Sequence, residues 1–153
     1  IYFPKNESTI LVVLNSIEVV RFKMEKLGLP SGNKMQISRF PPMLKQKYPG
    51  NLLRGIADTD FTVNFRDRDK DGFGEIPRIE GSFNNPSFIS EIAGMLEKFG
   101  ISFSTRKILR REKFLEHRIC IEGKANFRKW MQEIGFGNPK HLEKIEQWKE
   151  NES

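Results

Sequence analysis

Two stretches of this chain share one pattern. Val12–Leu29 (VVLNSIEVVRFKMEKLGL) lies without a gap over Ile119–Phe136 (ICIEGKANFRKWMQEIGF), at a constant offset of 107 residues. Arg21, Met24 and Gly28 recur as Arg128, Met131 and Gly135, and Val12, Leu14, Val20 and Leu27 keep their apolar character as Ile119, Ile121, Phe127 and Ile134. Each copy reads as a short alternating strand running into a helix of about three turns, stopped by a glycine just past its end. A repeat of this kind restricts the fold to units of about 100 residues, each built to the same plan. Residues 1–40 then read as the tail of a preceding repeat, a strand plus a helix, and residues 41–153 as a complete one. Pro41-Pro42 and Pro49-Gly50 punctuate the boundary, since proline and glycine interrupt regular elements. The chain opens at Ile1 rather than Met, which leads us to expect more chain upstream.

The complete unit alternates helical and strand periodicity. Asn51–Asp60 reads as a short helix carrying Leu52, Leu53 and Ile56. Thr62–Arg66, Pro77–Phe83, Ile101–Ile108 and His117–Glu122 read as strands. Ser87–Phe99 spaces Phe88, Ile89, Ile92, Met95, Leu96 and Phe99 at helical intervals and closes on Gly100. Asn126–Ile134 is a further helix. Asn138 can cap a last one, with Pro139 in its first position and Leu142, Ile145 and Trp148 on one face. The order is α-ββ-α-ββ-α-α, an α+β fold with an antiparallel sheet.

Composition narrows the class. Thirteen Phe and two Trp among 153 residues supply the bulk of a core, which argues against wholesale disorder. Cys120 stands alone, excluding an internal disulfide and a cysteine-based zinc cluster and pointing to a reducing compartment, cytoplasmic or organellar. The longest aliphatic run, Ile10–Leu14, falls far short of the ~20 residues of a membrane span. No basic-then-apolar leader opens the chain, so neither membrane insertion nor secretion is expected. Against 20 Asp and Glu stand 26 Lys and Arg, a net charge of +6, which suits a polyanionic partner, nucleic acid before membrane.

One short motif carries chemistry. Leu53–Asp60 (LRGIADTD) ends a helix in two carboxylates, Asp58 and Asp60, and its Gly55 and Thr59 form a small-x-x-x-small pair that lets a second helix approach. Acidic side chains at a helix C-terminus oppose the macrodipole, so their placement there suggests that a cation offsets them. This stretch resembles the LAGLIDADG motif, matching it at Leu53, Gly55, Asp58 and Asp60. The segments Lys26–Lys34 (KLGLPSGNK) and Gln132–Lys140 (QEIGFGNPK), and the order of elements, resemble the same family.

The resemblance implies a LAGLIDADG homing endonuclease, here the C-terminal repeat of a two-motif member. In that family two motif helices pack side by side, and the two sheets form a saddle over the DNA major groove. The last acid of each motif binds divalent metal. Carried over, Asp60 is the catalytic residue and metal ligand, Mg²⁺ the cofactor, and Leu53, Gly55, Ile56 and Thr59 the interface with an upstream repeat in the same chain or with a homodimer partner. Without that partner Leu53, Gly55 and Ile56 would stand exposed. Two positions depart from the family pattern: Phe61 stands where the motif ends in glycine, and Phe83-Asn84 where a polar pair with lysine is usual.

Strand parity gives a second set of candidates without the family. Thr62, Asn64 and Arg66 oppose Val63 and Phe65; Ser102, Ser104 and Arg106 oppose Ile101 and Phe103; Arg118, Cys120 and Glu122 oppose Ile119 and Ile121. Arg78, Glu80 and Ser82 complete the face, with a bend expected near Gly81. Arginine, asparagine and serine can read base edges or hold phosphates, so the DNA-facing set is Thr62, Asn64, Arg66, Arg78, Glu80, Ser82, Ser102, Ser104, Arg106 and Arg118, with Arg110, Arg111 and Lys113 placed for phosphates.

Other patterns lead nowhere. Asp67–Gly72 opens like a calcium loop, yet position 12 is Arg78 instead of glutamate, so a polar hairpin turn is expected. His117 and His141 are expected at the surface, and Trp130 and Trp148 in the core or an interface.

The activity implied is site-specific, metal-dependent hydrolysis of double-stranded DNA by an intron- or intein-associated nuclease. The alternative is a protein that kept the saddle and lost cleavage, either a DNA-binding regulator or a maturase binding intron RNA.

Overall fold

The computed structural model describes residues 16–28, 39–66, 76–110 and 114–152. The chain divides into two compact units, Ile1–Ile37 and Ser38–Ser153. In the first, helix α1 (Ile17–Glu25) is started by Ser16, whose hydroxyl oxygen accepts from the Val19 amide at 3.3 Å. Gly28, just past its end, takes φ +65°. No α1 residue is buried.

The second unit runs α2 (Pro42–Lys47), α3 (Pro49–Asp60), β1 (Phe61–Arg66), β2 (Ile76–Phe83), α4 (Pro86–Lys98), β3 (Ser104–Arg110), β4 (Phe114–Glu122), α5 (Lys124–Glu133) and α6 (Pro139–Glu152). It is an α+β unit with one antiparallel sheet of order β1-β2-β4-β3. Two hairpins, β1–β2 and β3–β4, therefore meet along β2 and β4. Helices cover one face. The core between contains Leu53, Val63, Ile79, Ile92, Leu96, Ile119, Ile121, Trp130 and Ile145. Aromatic rings fill its width: Phe65 stacks on Trp148 at 5.0 Å, and Trp130 lies 5.5 Å from Phe136.

The boundaries move for local reasons. α3 starts at Pro49, two residues before the expected start, because proline is preset for the first helical position. β3 starts only at Ser104. Gly100 takes φ +60° and the Ile101 amide donates back to Leu96 O at 3.1 Å, so the chain curls around the end of α4 and drops Ile101 into the core. Asn138 caps α6 as expected, its side-chain oxygen accepting from the Lys140 amide at 3.0 Å.

Three expectations are corrected. β2 does not bend at Gly81: its pairing with β1 and β4 runs residue for residue, and Ile79, Gly81 and Phe83 share a face. Gly81 instead makes room, since a Cβ there would overlap the Phe61 ring. The buried stripe of α6 is His141, Ile145 and Trp148, while Leu142 is 37% exposed. Both histidines are buried, not at the surface: His141 turns Nε2 toward Ala57 O at 3.3 Å, and His117 faces inward with Ile119 and Ile121 on β4.

Candidate nucleic-acid interface and acidic helix end

α3 presents two faces. Leu53, Ile56 and Ala57 point into the core, and the Arg54 Nε donates to Ile134 O at 2.7 Å, tying the helix to the exit of α5. Leu53 is fully buried and Ile56 is 8% exposed in this chain, which corrects the expectation that both stand open without a second motif helix. The open face is a shallow groove of roughly 360 Å³ lined by Leu44, Tyr48, Asn51, Leu52, Gly55, Ile56, Thr59 and Asp60. A Cβ at Gly55 would meet nothing within 4 Å. No packing inside this unit requires a glycine there.

The two acids at the helix end are unequal. Asp58 is occupied: its carboxylate accepts from the Gly137 amide at 2.9 and 3.1 Å and from the Asn138 amide at 3.0 Å, and its carbonyl accepts from Asn138 Nδ2 at 2.8 Å. These bonds fasten the end of α3 to the start of α6. Asp60 is exposed and accepts one bond, from Thr59 Oγ1 at 2.8 Å. Phe61 follows in extended conformation and is 4% exposed, so helix passes into strand with no loop between them. Among the described residues no group of three or more His, Cys, Asp and Glu side chains is placed to hold a metal ion. Asp60 offers a single carboxylate, and Mg²⁺ is commonly held by one or two carboxylates with waters and phosphate oxygens.

Nine of the ten residues of the sequence-derived face lie on strands, and the ladder brings them together in rows. Thr62 is opposite Glu80, Glu80 opposite Cys120, and Cys120 opposite Ser104; Ser82 is opposite Arg118, and Arg118 opposite Arg106. Ser102 is the exception. It precedes β3, and its amide donates to Asn126 of α5 at 3.1 Å.

Exposure then divides the face. Thr62, Asn64, Arg66, Ser82, Ser104 and Arg106 are open to solvent, whereas Arg78 is 5% exposed. Glu80 binds two guanidinium groups at once, pairing with Arg78 and, at 2.8 Å, with Arg118 Nη1. Arg118 Nη2 reaches Glu116 at 3.0 Å, and Arg78 Nε donates to Cys120 Sγ at 2.8 Å. Burial pushes the Cys120 thiol up, against the smaller pull of Arg78. Strand parity finds these residues but not the closure of the network. Glu116 joins it from two places before Arg118, a spacing that in hindsight is readable in the strand.

Arg111, Lys113, the Asp67–Gly72 turn and the strand expected at Val12 lie outside the described residues. Among the described residues no helix is long and apolar enough to cross a membrane. A scan against protein-family models finds no match, and a search of curated proteins finds none either.

Proposed function

We propose that this chain belongs to a metal-dependent double-strand DNA endonuclease of the LAGLIDADG homing type, with Asp60 as the carboxylate that holds Mg²⁺ jointly with substrate phosphate. The observation that carries the reading is the inequality of the two motif acids. Asp58 is bonded to the start of α6, while Asp60 stands exposed, bonded to the neighbouring Thr59 hydroxyl, at the point where α3 becomes the edge strand of a half-open sheet. An exposed acid at a helix C-terminus costs about 0.3–1 kcal/mol. A bound cation removes that cost. When bound, the metal would supply charge neutralisation at the phosphate and an activated water.

Support for a DNA surface comes from β3 and β4, where Arg106 lies directly opposite Arg118. Arg118 is already offset by Glu80 and Glu116, so the charge left to meet a polyanion at this pair is that of the exposed Arg106. The open residues Thr62, Asn64, Arg66, Ser82, Ser104 and Arg106 are the contacts in this reading. The groove on α3, with a glycine that nothing in the unit requires, is where a second motif helix would seat, whether from an upstream repeat or from a second copy.

A second reading, recognition without cleavage, is favoured by Phe61. Where the family pattern has a small residue that lets backbone approach the metal, this chain has a buried ring in contact with the core.

The test is Mg²⁺-dependent cleavage of a randomised plasmid library by the full protein and by Asp60→Asn. Cleavage by the wild type that disappears in the variant supports the nuclease. Retained binding with no cleavage by either leaves recognition alone, and preference for structured intron RNA over duplex DNA in competition identifies a maturase.

A further inference from the structure

We infer that Glu80 sets how strongly the sheet face grips nucleic acid, by holding two guanidinium groups out of use; this rests on the DNA-facing reading above. Among the side chains described, Arg66, Arg78, Arg106 and Arg118 share the face with Glu80, Glu116 and Glu122. Two of these arginines are tied at one carboxylate. Glu80 lies between Arg78 and Arg118, with 15% of its side chain exposed against 6% and 22% for its partners, so solvent does little to screen the pairs. Arg118 Nε, buried and without a hydrogen-bond partner among the described residues, shows that the network leaves this guanidinium under-satisfied.

The consequence is division of labour. Backbone phosphates attract arginine irrespective of sequence, whereas base edges are read by hydrogen bonds. Committing Arg78 and Arg118 to Glu80 lowers sequence-independent grip and leaves discrimination to the open side chains beside them. Removing the carboxylate charge releases Arg78 from its carboxylate and leaves Arg118 held by Glu116 alone, so the Arg118 guanidinium can turn to phosphate.

The test is binding of the full chain to a labelled random-sequence DNA duplex across a salt series, with thermal melts of each variant. Each added phosphate contact steepens the log–log salt slope by about 0.9, which multiplies the affinity lost between about 50 and 200 mM salt by roughly 3.5-fold. Glu80→Gln is expected to steepen the slope by about 1–2 contacts and tighten low-salt binding by about tenfold. In parallel, Arg118→Gln is expected to flatten the slope by less than Arg106→Gln does, because only Arg106 is uncommitted; this arm reads the same mechanism if Glu80→Gln does not fold. Wild-type binding with an unchanged or shallower slope in a folded Glu80→Gln overturns the inference and leaves the DNA reading standing, as does an Arg118→Gln loss equal to that of Arg106→Gln. Absence of duplex binding by every chain overturns the DNA reading, and the inference with it.

Discussion

Phe61 and Gly81 should behave as one energetic unit. Phe61 opens β1 with its ring 4% exposed, 6.2 Å from Trp130 in a stacked arrangement and 6.2 Å from Phe83 edge-on. Gly81 sits directly opposite on β2, and a Cβ there would overlap that ring. Truncating a buried Phe to Ala typically costs about 3–5 kcal/mol in lost transfer energy and residual cavity. Phe61→Ala should sit in that range, since two aromatic partners, Trp130 and Phe83, and the backbone of Gly81 would border the void. Gly81→Ala adds a methyl where none fits and should cost about 1–3 kcal/mol. In the double variant the methyl enters the space the ring vacated. Its cost should fall short of the sum by about 1–3 kcal/mol, the coupling seen for contacting residues. Urea melts of the four proteins of the cycle, followed by far-ultraviolet circular dichroism, measure this without relying on Trp130 as the reporter. Additivity within about 0.5 kcal/mol would refute the claim that Gly81 is held to glycine by Phe61.

Further outcomes can be measured on the same chain. Asp58→Asn weakens the charge-assisted bonds to the Gly137 and Asn138 amides and should destabilise by about 1–3 kcal/mol; a thermal melt indistinguishable from wild type would contradict it. Asp60→Asn should leave stability within about 1 kcal/mol, with any change in the stabilising direction because the acid opposes the helix dipole, while abolishing Mg²⁺-dependent cleavage. The Cys120 thiol is raised by burial, so the unfolded chain ionises first; stability is fully present below the ordinary thiol range near ~8.5 and declines as pH rises from there toward the higher folded value. Melts at stepped pH should show that decline reduced in Cys120→Ala, and an identical pH slope in both proteins would count against it.

Much of the fold was legible because the second unit keeps its periodicities clean. The alternation of Thr62–Arg66 and the helical spacing within Ser87–Phe99 each admit one reading, and the elements form within one residue of those bounds, as Phe61–Arg66 and Pro86–Lys98. What misled was residue type taken without context. His141 reads as a surface residue by composition, yet the rotation of α6 set by Ile145 and Trp148 carries position 141 inward and Leu142 outward. Arg78 reads as a DNA contact by parity, and parity is right about its face; burial and the pairing with Glu80 remove it from solvent, and neither is visible in a single strand. The candidate site was half legible. The resemblance singles out Asp60, but the structural employment of Asp58 is visible only in the fold, because the amides that occupy it come from 79 and 80 residues further along the chain. A trace was present all the same: the Gly137-Asn138 pair recurs in both glycine-rich signatures, as Gly32-Asn33 in the first.

The two helices related by the 107-residue offset show how far a local signal can go. α1 begins at Ile17 and α5 at Lys124, the same position in the repeat, and the glycines that follow take nearly the same left-handed backbone, φ +65° at Gly28 and +71° at Gly135. Start and stop are therefore written locally, in residues that need no tertiary partner. Burial is another matter. Phe127 is 3% exposed in α5, whereas its counterpart Val20 is 45% exposed in α1, and Trp130, fully buried, answers to Lys23. A shared start position and a shared closing glycine accompany equivalent helices, although Ser16 caps α1 with its side chain and Gly123 gives α5 no such cap; whether an apolar stripe becomes a core depends on the sheet laid against it. For α5 that sheet is β2 and β4, whose inward residues Ile79, Ile119 and Ile121 are as fully buried as the helix residues they join in the core. The repeat thus accounts for why these elements exist, and the β2–β4 pairing accounts for why one of the two helices is part of a core.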